Sequence, residues 1–381
     1  MKDLLQGTRV LDLTRLLPGP YATLLLADLG AEVIKIEEPV RGDPVRSLPP
    51  FHEGKSARFL TLNRNKKSLS VDLKKPKGVD LFLKLAESSD VVIEGFRPGV
   101  TRRLGIDYDA VKERNSEIIY CALTGYGQVG LYRDHIGHDL NYIARAGLLS
   151  LTGSSPVIPG VPVADLAGAM FAALSVVAAL RARDYGQGGT FIDVSLTDAV
   201  ISWMAVHFAE YFPTEKVPNP QELVLTGGFP CYAIYETKDK KYLAIGALEE
   251  KFWANLCNAL GRPEYIPLQF SQGMKETIFC DLREIFKKRP RDAWLDELNP
   301  NEIPVSPVLD LSEVAKNPHV HSRGLMRGEP ISEVAFPVRW SEAHEKEDRP
   351  APNLGEQNWE ILREIGYPDN EIESLKREHV I

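Results

Sequence analysis

Three side chains in this 381-residue chain have the type and setting for acid–base or nucleophilic chemistry. His138, one of eight histidines, sits in Gly137-His138-Asp139-Leu140-Asn141-Tyr142. Asp139 is expected to cap a helix that carries Leu140, Ile143 and Ala146. A histidine at a helix N-terminus feels the positive end of the dipole, which disfavours imidazolium and keeps the ring available as a neutral base. Asp165 opens an apolar run in Val163-Ala164-Asp165-Leu166-Ala167-Gly168 and reads as an N-cap. The same placement would hold a nucleophile or base rigidly and in its ionised form. Small residues at Ala167, Gly168 and Ala169 would let a bulky ligand approach. Glu249 closes Gly246-Ala247-Leu248-Glu249, at the end of an expected hairpin strand. Each has a plainer reading as a loop histidine, a cap or a helix-start acid, and His135 shows that histidines occur in this loop.

Positive charge gathers where strands should end. Arg41 and Arg46 follow the second expected strand, and Arg97, Arg102 and Arg103 follow Asp90–Glu94. Between them, Asn63–Gly78 sets Arg64, Lys66, Lys67, Lys74, Lys75 and Lys77 against Asp72 as its one acid. Loops at the carboxyl ends of parallel strands are where ligands bind, and guanidinium forks hold phosphate strongly. On a chain of net charge −8 such clustering suits a ligand with several phosphates, and the overall sign disfavours nucleic acid. The dinucleotide fingerprint fails, because Leu16–Pro20 (LLPGP) supplies one glycine between two prolines. There is no G-x-S-x-G, Walker A or HExxH stretch. The four cysteines (Cys121, Cys231, Cys257, Cys280) lie far apart, so neither a disulfide scaffold nor a metal site is expected.

The elements that must position these groups alternate in the first 200 residues. Strands are expected at Thr8–Leu13, Glu32–Ile36, Asp90–Glu94, Glu117–Leu123 and Thr190–Leu196, with helices at Tyr21–Leu29, Pro76–Ser88, Leu166–Arg183 and Thr197–Phe212. That rhythm implies right-handed βαβ crossovers and a mostly parallel sheet. A proline- and glycine-containing connector (213–228) follows. A smaller α+β domain (229–303) then holds a hairpin, Cys231–Thr237 with Lys241–Leu248, and helices Glu250–Leu260 and Glu276–Leu298. A second proline-rich stretch, Pro304–Pro307, opens a return linker (304–329), and residues 330–381 complete the large domain (1–212) with a helical tail. MKDLLQGTRV has no secretory core, and Leu166–Leu180 is short for a membrane span. A cytoplasmic enzyme with no membrane partner is the expectation.

Taken together, several ordered stretches are similar to family III CoA-transferases over nearly the whole chain. They include GTRVLDLTRLLPGPYATLLLADLGAEVIKIEEP, NRNKKSLSVDLK, VVIEGFRPGV, LTGYGQVG, GHDLNY, VADLAGAM, GGFPCYAIYETKDKKYLAIGALE and PAPNLGEQNWEILREIGY. Within that family the chain resembles the α-methylacyl-CoA racemase branch. The resemblance implies a Rossmann-like large domain with a parallel sheet, a smaller α+β domain, and two chains interlocked as rings in a homodimer. It implies coenzyme A as part of an acyl-CoA substrate with no tightly bound cofactor. Arg41, Arg64, Lys66, Arg97 and Arg103 would hold the coenzyme, with Gly137 and Tyr142 on the substrate. His138, Asp165 and Glu249 together imply two-base racemisation of a 2-methyl-branched acyl-CoA, Glu249 pairing with His138. The alternative is CoA transfer to a carboxylic acid through an Asp165 anhydride and thioester. Two positions depart from the family pattern: Val161 stands where racemases often carry asparagine, and Gln357 where histidine is usual.

Overall fold

Six runs rich in β-branched and apolar residues build one parallel sheet: Arg9–Asp12 (β1), Glu32–Glu37 (β2), Lys66–Ser70 (β3), Val91–Glu94 (β4), Ile119–Thr124 (β5) and Thr190–Ser195 (β6). Their spatial order is β3–β2–β1–β4–β5–β6, and every neighbouring pair is parallel. Chain order reverses between β1 and β4, which makes the gap beyond their carboxyl ends the topological switch point where open α/β sheets take ligands. Apart from Arg9, the central strands are buried, as expected for a sheet covered on both faces. This computed structural model describes residues 3–328, 333–341 and 348–381. Residue 329 of the expected return linker and residues 330–332 and 342–347 of the C-terminal part lie outside the described residues.

The chain divides into two compact units, Met1–Ala146 with Gly160–Trp203 and Arg327–Ile381, and Gly147–Pro159 with Met204–Met326. In the first, a core of Leu11, Ile34, Leu81, Phe82, Val92 and Tyr120 is joined by Leu362 and Ile372 of the C-terminal helices Asn358–Glu364 and Asp369–Arg377. The second unit carries an antiparallel sheet of Tyr232–Glu236 (β7), Tyr242–Gly246 (β8) and Val305–Pro307 (β9), ordered β9–β8–β7. It packs with Trp253, Leu256, Phe279, Phe286 and Trp294 from its helices.

Several sequence expectations need correction. The helix expected at Tyr21–Leu29 starts three residues earlier, inside LLPGP: Pro18 is the first residue of Pro18–Asp28, where a missing N–H costs nothing. Leu16, at φ 68, makes the turn instead. The stretch expected as the single helix Thr197–Phe212 is two, Leu196–Trp203 and Ala205–Thr214, parted at the unit boundary. Glu276–Leu298 is also two helices, Lys275–Phe286 and Arg291–Leu298; Pro290 holds the start of the second. Pro304–Pro307 contains strand β9 rather than open linker. Most consequential, the lysine- and serine-rich part of the expected basic loop is the edge strand β3.

Helix Val163–Asp184 is longer than expected, and by length and composition it could cross a membrane. Here Ala164, Ala167, Gly168, Ala169, Ala172 and Val176 of this helix are buried in its own unit. Ala167, Gly168 and Ala169 therefore face protein, not ligand. A Cβ on Gly168 would come within 2.2 Å of Leu196 Cδ2, so a larger residue there requires the Leu196 side chain to move.

Candidate active site

Asp165 is the third residue of helix Val163–Asp184, not its cap. Pro162 occupies the cap position and offers no side-chain oxygen. The missing acceptor comes from a different helix: Oδ1 of Asp139 accepts from the backbone N–H of Ala164 at 2.6 Å and of Asp165 at 3.1 Å. Free N–H groups in a first helical turn require such partners. The helix Asp139–Arg145 is in turn capped at His138, whose N–H donates to Oδ1 of Asn141 at 3.0 Å. The acid that sequence reasoning took as the cap of its own helix thus caps its neighbour, and fixes the backbone of Asp165 in doing so.

Burial, and secondly the adjacent Asp139 charge, push the Asp165 carboxyl up to about 7. Tyr142 stands on the same side. Its hydroxyl donates to the Gly137 carbonyl, and its ring meets Tyr126 edge-on with centroids 5.1 Å apart. A Cβ on Gly125 would lie 2.4 Å from that ring. Burial, then the Asp165 charge, push the Tyr142 hydroxyl up to about 12, so it stays a hydrogen-bond donor at neutral pH.

These groups line a cleft of about 590 Å³ beyond the carboxyl ends of β1, β4 and β5. The structure brings together Arg97, Arg103, Gly137, His138, Tyr142 and Asp165 of the residues singled out from sequence. It adds Arg15 and Arg133, which sequence reasoning missed. The signal for Arg15 was available, since it follows β1 as Arg97 follows β4. Its guanidinium lies over Phe96, 5.1 Å from the ring centroid. The turn that carries it is anchored from below. Lys35 is fully buried, donates to the Thr14 carbonyl at 3.0 Å and pairs with Asp43 at 2.9 Å. Asp43 accepts from Leu16 N–H at 3.3 Å. Beside the cleft, a smaller pocket of about 170 Å³ shares Arg15 and Phe96 with it and is walled by Val71, Leu73 and Leu104, with Lys74 at its edge.

Three expected site residues lie elsewhere in the first unit. Arg64 is buried and pairs with Asp28 at 2.5 Å. Lys66 is buried too; its ammonium reaches Asp12 at 3.2 Å, Thr23 at 2.8 Å and Asn63 at 3.0 Å. Burial pushes it down to about 8 against the pull of Asp12. Both belong to the segment that enters strand β3, which carries their charges inward. Lys67, Lys75 and Lys77 are likewise occupied, by Glu32, by the carbonyls of Glu378 and His379, and by Glu378. Arg41 is exposed and lines neither pocket. Glu249 belongs to the second unit, where it precedes helix Glu250–Ala259.

Residues 5–358 match the model of CoA-transferase family III. Among curated proteins the chain is similar to succinyl-CoA:glutarate CoA-transferase of Mus musculus, 36% identical over 97% of this chain and 88% of that protein. It is similar to acetyl-CoA:oxalate CoA-transferase of Acetobacter aceti, 30% identical over 95% and 96%, and to human α-methylacyl-CoA racemase, 30% identical over 99% and 97%. Among solved structures, a CAIB/BAIF family protein from Brucella suis superposes with a TM-score of 0.86 at 29% identity, covering 96% of this chain and 100% of that one. An acyl-CoA enzyme by its relatives and an α/β protein with its cleft at the switch point by its fold, the chain belongs to CoA-transferase family III.

Proposed function

We propose that the protein moves CoA from an acyl-CoA to a dicarboxylic acid, with Asp165 as the nucleophile. The observation that carries this reading is a partly desolvated carboxylate, fixed at a helix start, in a cleft lined by Arg15, Arg97, Arg103 and Arg133. None of the four arginines has an acidic partner among the described residues. CoA enters as part of the substrate. Its adenine would enter the smaller pocket, where Val71, Leu73 and Leu104 offer apolar contact beside Glu37, Glu38 and Asp43, and its phosphates would fall to Arg15, Arg97 and Arg103. The Asp165 carboxylate attacks the thioester carbonyl, releasing CoA thiolate and leaving a mixed anhydride. The thiolate then attacks the aspartyl carbonyl, giving an Asp165–CoA thioester and the donor's free carboxylate. The acceptor carboxylate repeats both steps in reverse and leaves with CoA. The dicarboxylate class rests on relatives named for glutarate and oxalate.

A second reading, racemisation of a 2-methylacyl-CoA, is favoured by one observation: His138 and Asp165 line the same cleft. Two bases there could exchange the acidified α-proton through an enolate, and a carboxyl near 7 suits proton transfer. Incubation in D2O with succinyl-CoA plus glutarate, and separately with a 2-methylacyl-CoA alone, separates the two readings. The proposal expects glutaryl-CoA and no deuterium at the α-carbon; deuterium uptake without CoA transfer contradicts it.

The expected homodimer belongs to the same proposal. Met170 and Leu174, one turn apart on helix Val163–Asp184, are 53% and 63% exposed, an apolar face that a second chain would cover. Four free cysteines suit a cytoplasmic, reducing setting.

A further inference from the structure

Arg133 and His135 stand in the cleft on a loop of their own. Arg15, Arg97 and Arg103 follow β1 and β4, on the side shared with the apolar pocket. Arg133 and His135 come instead from the loop after β5, which also carries His138 and leads to the acid that clamps Asp165. Arg133 has no acidic partner among the described residues, and its Nη2 reaches across to the turn at Gly99, 4.0 Å from where a Cβ there would stand. His135 is held by its surroundings. Its ring lies 5.1 Å from Tyr132 and 6.2 Å edge-on from Tyr126, and Nη2 of Arg145 lies 3.3 Å from its Nδ1. Arginine can only donate, so Nδ1 accepts and the imidazole proton sits on Nε2. Arg145 is itself stacked over Tyr132 at 4.2 Å, which fixes the donor. The stretch therefore offers a guanidinium fork and an oriented ring N–H, with Asp134 between them as its one acid.

We infer that Arg133 and His135 form a carboxylate subsite that receives the far carboxylate of the dicarboxylic acid and of its CoA ester. The inference rests on the dicarboxylate reading above. The near carboxylate, which exchanges with CoA, goes to Asp165; the far one meets Arg133, the one cleft arginine among the described residues that comes from the loop after β5. An acid with a methyl in that position would leave Arg133 unpaired, which penalises it. Arg133 and His135 are thus specificity residues and take no part in bond exchange.

The test compares glutarate with pentanoate, equal in chain length and lacking the second carboxylate. Calorimetric binding of each acid to the CoA-saturated protein is measured for wild type, Arg133→Gln and His135→Gln, alongside the Kd for CoA. Turnover with one acyl-CoA donor gives the ratio of kcat/KM for the two acids. Wild type should prefer glutarate in both assays. Arg133→Gln should cut that preference roughly 10- to 100-fold, the worth of a hydrogen bond to a charged group, and His135→Gln by a smaller factor. Three results overturn the inference: no preference for glutarate in wild type, an unchanged preference in Arg133→Gln, or a weaker CoA Kd in that variant with the preference intact. Binding preference without any CoA transfer would sustain the subsite and refute the transfer reading, so the two fail separately.

Discussion

Asp139 connects the two acid–base candidates that sequence spacing identified one by one. It is the first residue of the helix capped at His138, and it clamps the turn that holds Asp165. Its negative charge opposes ionisation of Asp165, second to burial. Arg97, Tyr142 and His138 line the same cleft. On the transfer reading Asp165 must be ionised to attack, so activity should fall as pH drops below about 7. Asp139→Asn keeps an acceptor oxygen for the two N–H groups and removes the charge. The Asp165 carboxyl should then ionise more easily, moving the acid limb of the kcat/KM profile down by about one unit. Asp139→Ala should instead lose the clamp, with about 1 kcal/mol of stability and much of the activity. An acid limb in the same place for Asp139→Asn would show that burial alone sets the ionisation. His138, Asp165, Tyr142 and Gly137 were legible because the motifs that carry them are local. The Asp139–Asp165 clamp was not, since 26 residues separate its ends and no local pattern encodes it.

At the scale of elements, β3 decides which basic residues can meet a ligand. As an edge strand it would leave backbone groups open to pairing with other chains, and the C-terminal segment covers them. Gln357 accepts from Ser68 N–H at 2.8 Å and donates its own N–H to the Ser68 carbonyl at 3.1 Å. Asn358 accepts from Ser70 N–H at 2.9 Å. The departure at Gln357 thus has a structural use. Replacing both Gln357 and Asn358 by alanine should destabilise the protein by about 1–3 kcal/mol, read as a lower denaturant midpoint, with the Kd for CoA unchanged. An unaltered midpoint would mean that water replaces these partners without cost. Five of the six strands were legible from their apolar runs. The sixth was hidden because Lys66, Ser68 and Ser70 supply polar side chains to a buried face, where Asp12, Glu37 and Asn358 satisfy them. Hydrophobic patterning cannot report a face that is paid in hydrogen bonds.

Over the whole chain, the reversal of strand order between β1 and β4 places the arginine-lined cleft, and the chemistry follows from what converges there. The parallel sheet and the small antiparallel unit could be anticipated from element rhythm. Which arginines face the cleft could not, because a charge count along the sequence does not distinguish an internal ion pair from an open guanidinium. Arg64 and Arg97 look alike in sequence; one is sealed against Asp28 and the other lines the cleft. On the proposed mechanism CoA becomes covalently attached to Asp165 during turnover. Intact-protein mass spectrometry after mixing with succinyl-CoA, without acceptor, tests it most directly. Wild type should give a species heavier by CoA less one water, mapped to the peptide containing Asp165, cleared by adding glutarate, and absent in Asp165→Asn. An unmodified protein that nevertheless makes glutaryl-CoA, or an adduct that survives in Asp165→Asn, would contradict it.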